Sequence, residues 1–118
     1  MGSSLEDFQR FPKDVMRDIV TALSLAQEGG KAGYAKPLMG FSGASVLEIV
    51  VRDASGAYRC VYTVKLQTAV YVLHAFQKKS HQGIATPKQD IEMIKRRLKW
   101  AYEIDAEALQ RKKKGKRS

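Results

Sequence analysis

The sequence predicts an α+β fold, with helices at both ends of the chain around a small antiparallel sheet. Three observations carry this. Val15, Ile19, Ala22, Leu23 and Ala26 recur at helical spacing near the start. The middle third turns to β-branched and aromatic runs. Helical spacing then returns at Ile91, Ile94, Leu98, Ala101 and Ile104. A chain of 118 residues, 44% hydrophobic and 28% charged, has the length and composition of one globular core.

Residues 4–10 read as a short helical turn. Pro12 suits the first turn of a second helix, where its missing N–H costs nothing, and Gly29-Gly30 closes that helix. The two form an N-terminal helical hairpin. Residues 31–44, which include Gly33, Pro37, Gly40 and Gly43, read as a connecting loop long enough to suggest a binding role.

Val46 to Arg52, Ala57 to Lys65 and Ala69 to Gln77 read as a three-stranded meander, with turns at Asp53–Gly56 and Gln67-Thr68. An even-length loop at the first turn sets Leu47, Ile49 and Val51 beside Val64, Tyr62 and Cys60. The second turn adds Tyr71, Leu73 and Ala75, making one apolar face to pack under the helices. The opposite face collects Glu48, Arg52, Arg59, Thr63, Lys65, His74 and Lys78. In this register Arg52 directly opposes Arg59, and like charges so placed repel. A face meant only for solvent would more simply alternate signs.

Thr86-Pro87-Lys88-Gln89 reads as the cap of the last helix. It is expected to run to about Gln110, with Lys95, Arg96, Arg97 and Lys99 mostly outward and Trp100 and Tyr102 over the core edge. Residues 1–110 then form a single domain, and residues 111–118 a solvated, disordered tail.

The net charge is +9, and six basic side chains with no acid lie in residues 111–117. Such a tail suits sequence-blind contact with a polyanion. Lys112, Lys113 and Lys114, with Arg52, Lys65 and Lys79, are the expected RNA-binding residues. The single cysteine, Cys60, falls on the apolar face and reads as an inert core thiol. With no CxxC or Cys/His cluster, no metal or other cofactor is expected. No apolar run approaches the roughly 20 residues of a membrane span, and MGSSLEDFQRF lacks a basic region followed by an apolar core. A cytoplasmic protein with no membrane partner is expected.

Arg, Lys, Glu and His on one sheet face suit cleavage of an RNA phosphodiester. The 2′-hydroxyl must lose a proton, the phosphorane must be neutralised, and the 5′-oxygen must gain a proton. Arg59 is the natural phosphate clamp, because its planar fork gives directed, charge-assisted hydrogen bonds. Glu48 or His74 could act as base, and His74 or Lys78 as acid. Truncating Arg59 is expected to spare the apolar core. Quieter readings stand beside these: a cross-strand Arg59–Glu48 ion pair, a structural His74, solvated Lys78-Lys79 and a solvated His81. Spacing alone leaves the function open.

The segments GSSLEDFQRFP, KPLMGFSGASVLEIVVRDASGAYRCVYTVK and AVYVLHAFQKKSHQGIATPKQDI resemble the HigB branch of the RelE/ParE toxin superfamily, from about Gly2 to Arg97. The resemblance implies an α+β domain that cleaves mRNA on translating ribosomes without a metal. It also implies restraint by a bound antitoxin, often a helix-turn-helix DNA-binding protein. Arg59 matches the strand arginine used on the scissile phosphate. Lys78 and Lys79 match the basic pair after the last strand, and Glu48 an acidic strand position. His74 matches the family string, with its catalytic role open. A ParE-like gyrase inhibitor, a non-catalytic RNA- or ribosome-binding module and a degenerate toxin-like protein are the alternatives. Relatives usually carry a short apolar strand before the segment matched at Gly2. The sheet is therefore expected to lack an edge strand and to invite a homodimer through that edge.

Overall fold

The computed structural model describes residues 4–30, 33–38, 46–54, 56–78 and 88–115. The hairpin helices are α1 (Ser4–Gln9) and α2 (Lys13–Gln27). Pro12 is the N-cap of α2, with ψ 149°, so the helix starts one residue later than the sequence predicts. Gly29 takes φ +87°. Its N–H bonds the Ala26 carbonyl and the Gly30 N–H bonds the Leu25 carbonyl, which ends the helix in a Schellman turn.

Four strands follow, where the sequence predicts three: β1 (Lys36–Pro37), β2 (Val46–Asp53), β3 (Gly56–Thr63) and β4 (Val72–Lys78). They form one antiparallel sheet in the order β1-β2-β3-β4. The extra strand comes from the segment read as loop. It is two residues long, too short to show a period in sequence, and it pairs Lys36 with Glu48 and Pro37 with Leu47. The strand on that side of β2 is thus supplied from within the chain.

The first hairpin is tighter than predicted. Asp53 pairs with Gly56, whose φ of +136° an L side chain rarely adopts. The ladder thus runs one pair further into the turn than expected. The strand ends read from sequence, Arg52 and Ala57, do face one another, whereas the cross-strand partners predicted above are displaced by two from the observed ones. Arg59 lies opposite Val50, and Arg52 opposite Ala57, so the predicted Arg52–Arg59 opposition does not occur. An even shift keeps every side chain on its predicted face.

The second hairpin follows the predicted register from Ala57↔Lys78 to Val61↔His74, then breaks, because Tyr62 pairs with Val72. Leu73 is the extra residue of a β-bulge. Beyond it the faces exchange: Val72 packs with the first core, and Leu73 and Tyr71 with the second, the reverse of the expectation.

The sheet consequently has a core on each side. Val15, Ile19 and Ala22 of α2 pack with Leu47, Ile49, Cys60 and Tyr62 on one face, with Phe11 edge-on to Tyr58. On the other, Ile94 and Ala101 of α3 (Lys88–Gly115) pack with Val46, Val61 and Leu73. Part of the face predicted to be polar is therefore buried under α3. That helix continues to Gly115, past its expected end near Gln110. Trp100 and Tyr102 stand exposed on it and do not cover the core edge. Thr86, Pro87 and His81 lie outside the described residues.

Asp105 ties α3 to the β3–β4 connection. It continues the 94, 98, 101 stripe, yet is a carboxylate only 3% exposed. It accepts hydrogen bonds from the Gln67 and Thr68 N–H groups at 2.8 Å each and the Thr68 hydroxyl at 2.7 Å. Burial pushes its pKa up, but the Thr68, Gln67 and Tyr71 hydrogen bonds together outweigh it and hold the carboxyl below its ordinary value. The stability it contributes is present above the unfolded carboxylate pKa and is lost as pH falls through the folded one. Asp105→Ala is expected to cost roughly 2 kcal/mol at neutral pH, because the turn's donors lose their charged acceptor. Urea unfolding of the variant beside the parent protein checks this, and the difference should shrink in acid.

Candidate functional site

Strand alternation places Glu48, Val50 and Arg52 of β2, Arg59 of β3 and Lys36 of β1 on the face that α3 only partly covers. Among the described residues α3 packs on the β4 side of that face, holding it by Asp90 to His74 and by Arg97 to the Leu73 carbonyl. The β1–β2 side is a cleft of about 380 Å³, lined by Tyr34, Lys36, Glu48, Val50, Arg52 and Arg59. Its lining carries three cations and one carboxylate.

Arg59 forms the floor. It is only 3% exposed, which corrects its reading as a surface residue whose truncation would spare the core. Its Nη1 donates to Glu48 Oε2 at 3.0 Å. Glu48 opposes Val61, so the pair is diagonal across β2 and β3, within reach of two long side chains. Arg59 Nε is buried and has no hydrogen-bond partner among the described residues. A guanidinium buried with a donor unspent is costly in apolar surroundings, and it suits an anion arriving from the cleft. Arg52 and Lys36, both exposed, supply further positive charge at the rim.

The other predicted residues do not join this cleft. His74 is buried against α3. Its Nε2 lies 3.1 Å from Asp90 Oδ1, and its ring stacks on Phe76 at 4.5 Å between centroids. A carboxylate can only accept, so Nε2 carries the hydrogen and Nδ1 is the bare nitrogen. His74 borders a second cavity of about 300 Å³, with Asp7, Arg10, Phe11, Ala75, Phe76 and Gln77. Lys78 is the last β4 residue, paired with Ala57; its side chain, Lys79 and the Lys114 side chain lie outside the described residues. Lys65 follows the opposite end of β3, six residues from Arg59 or about 20 Å along an extended chain. Lys112 and Lys113 are exposed in the last turns of α3, beyond Asp105 at that same far end. The basic groups thus fall into two regions.

Two cleft residues, Tyr34 and Lys36, were not among the sequence-predicted site residues. Nothing in the sequence sets them apart from the other aromatic and lysine of that loop, Phe41 and Lys31. Cys60 is buried as expected, and burial pushes its thiol up to about 12. Among the described residues no His, Cys, Asp or Glu cluster could hold a metal, and no helix is long and apolar enough to cross a membrane.

Burial lowers the His74 pKa, and the opposing pull of Asp90, by charge and by hydrogen bond, does not restore it. Arg97 lowers it further, while Asp7 raises it. Unfolded histidine takes its proton near 6.5, whereas folded His74 resists to lower pH. Its contribution is therefore intact above about 6.5 and is lost as pH falls through the folded pKa. Stability should drop between pH 7.5 and pH 5, and His74→Gln should flatten that dependence in denaturant titrations at the two pH values.

Comparisons with curated proteins and with solved structures give no match. Residues 6–99, which take in most of α1, all of α2, the whole sheet and the first part of α3, match the family described as phage derived protein Gp49-like (DUF891). The chain belongs to this phage-derived Gp49-like family, which is associated with toxin–antitoxin systems.

Proposed function

We propose that the chain is the toxin of a toxin–antitoxin pair and that it cleaves RNA without a metal at the Arg59–Glu48 cleft. One observation carries this reading: a guanidinium buried at the floor of a cation-rich cleft, with Nε unpartnered among the described residues. Family membership supports it. Arg59 grips a non-bridging oxygen of the scissile phosphate through Nε, and Arg52 and Lys36 neutralise the charge that builds on the phosphorane. Glu48, already oriented by Arg59, takes the 2′-hydroxyl proton. Attack of that oxygen on phosphorus expels the 5′-oxygen, which takes its proton from water in the open cleft, and leaves a 2′,3′-cyclic phosphate, so the nucleophile is the substrate's own.

His74 is assigned to holding α3 on the sheet, since its partner is Asp90 and its place is outside the cleft. Translating ribosomes as the setting, and a helix-turn-helix antitoxin as the restraint, belong to the same proposal. Lys65, Lys112 and Lys113 then act as a distant contact for ribosomal or messenger RNA.

Arg59→Lys keeps the charge but loses the directed fork, and Arg59→Ala removes the cation of a buried pair at the cost of about 3 kcal/mol. Arg59→Lys is therefore the informative variant. It should stay folded and lose at least about a hundredfold in cleavage rate, the scale of one lost transition-state donor. Glu48→Gln should lose activity through the base, most visibly as a changed pH–rate profile. Cleavage of labelled RNA, with folding followed by circular dichroism, measures both. A folded Arg59→Lys variant with full activity would remove Arg59 from the mechanism.

A further inference from the structure

Tyr34 is a large aromatic side chain, 45% exposed, at the rim of a cleft whose other members are mostly charged. Its hydroxyl is already committed, donating to the Asp18 carbonyl of α2 at 2.7 Å. Burial, then the Asp18 charge, raise its pKa, so the phenol keeps the proton it donates. What Tyr34 offers the cleft is its ring, anchored to α2 by its far end. A ring held in place before a ligand arrives forfeits little entropy on binding.

Its position relative to the cations is set by the sheet edge. Lys36, two residues on, pairs with Glu48, and Glu48 is the carboxylate that Arg59 grips. An exposed ring beside a phosphate clamp is the arrangement that holds single-stranded nucleic acid, with a base on the aromatic face and the backbone on the cations. Duplex bases are already stacked on one another and cannot use it.

Resting on the RNA-cleaving reading of the cleft, we infer that Tyr34 is a base-stacking platform. It seats a nucleobase flanking the phosphate held at Arg59 and so restricts the site to single-stranded RNA. If Tyr34 only anchored its segment to α2, removing its ring would affect a strand with bases and one without them alike.

The experiment uses the full chain and two fluorescein-labelled, 2′-O-methyl strands, which cannot be cut because the nucleophile is blocked. One is a mixed-sequence strand; the other has the same length and backbone with abasic sugars. Binding is read by fluorescence anisotropy. Tyr34→Ala should weaken the mixed-sequence strand about tenfold and the abasic strand less than about twofold. Tyr34→Phe, which keeps the ring and loses its anchor, should weaken the mixed-sequence strand less than Tyr34→Ala does and leave the abasic strand within about twofold of the parent. Equal weakening of both strands by Tyr34→Ala, or none on either, overturns the platform. If Lys36→Ala and Arg52→Ala weaken both strands while Tyr34→Ala changes neither, the platform falls and the cleft reading stands. A folded parent chain that binds neither strand removes both.

Discussion

The structure depends on one diagonal ion pair, Arg59 with Glu48, set across β2 and β3. A guanidinium this deeply buried is tolerable only with a partner, and the observed register puts one within reach. In the observed register Glu48 lies one diagonal step from Arg59. A slip of two residues would bring Arg59 opposite Arg52 and carry Glu48 across from Thr63, about 13 Å along the strand from Arg59. Hydrophobic patterning cannot choose between these registers, since both keep the faces intact. Charge can, because one satisfies the buried arginine and the other sets it against another cation.

The bulge at Leu73 does the complementary work on the other side of the sheet. By exchanging the faces of Tyr71, Val72 and Leu73, it gives the sheet a second apolar patch, onto which α3 packs. Asp105 holds α3 at the β3–β4 connection, and Asp90 and Arg97 hold it along β4. The helix therefore lies along β4, and among the described residues the β1–β2 half of the same face remains a cleft. The Arg59 site lies where the second core stops.

The sequence was informative where periods were long and weak where local geometry decided. The α2 stripe, the α3 stripe and the central strands are legible, because several turns or alternations repeat the same message. The presence of Arg59 and Glu48 on one face also follows, since face parity survives a slip of two. The pairing of β1 does not, because two residues have no period. The tight first turn rests on the φ of Gly56, and the bulge on an extra residue that no composition marks. The bulge placed Tyr71 and Leu73 in the other core, and the Arg52–Arg59 opposition does not occur because the ladder pairs Arg52 with Ala57. Asp105 left a trace, a carboxylate in the 94, 98, 101 stripe, where an apolar residue would ordinarily continue.

The central claim is that the buried Arg59 guanidinium meets a phosphate through Nε. Nitrogen-15 NMR of the arginine side chains observes that atom directly, because a buried Nε–H exchanges slowly enough to be seen. The titrant is single-stranded 2′-O-methyl RNA, and the Arg59 resonance is assigned by its loss in Arg59→Lys. The expected result is that this resonance shifts as the RNA saturates the protein, with Arg52 following. An Arg59 Nε–H that stays unmoved while arginines elsewhere respond would place RNA on another surface and contradict the account.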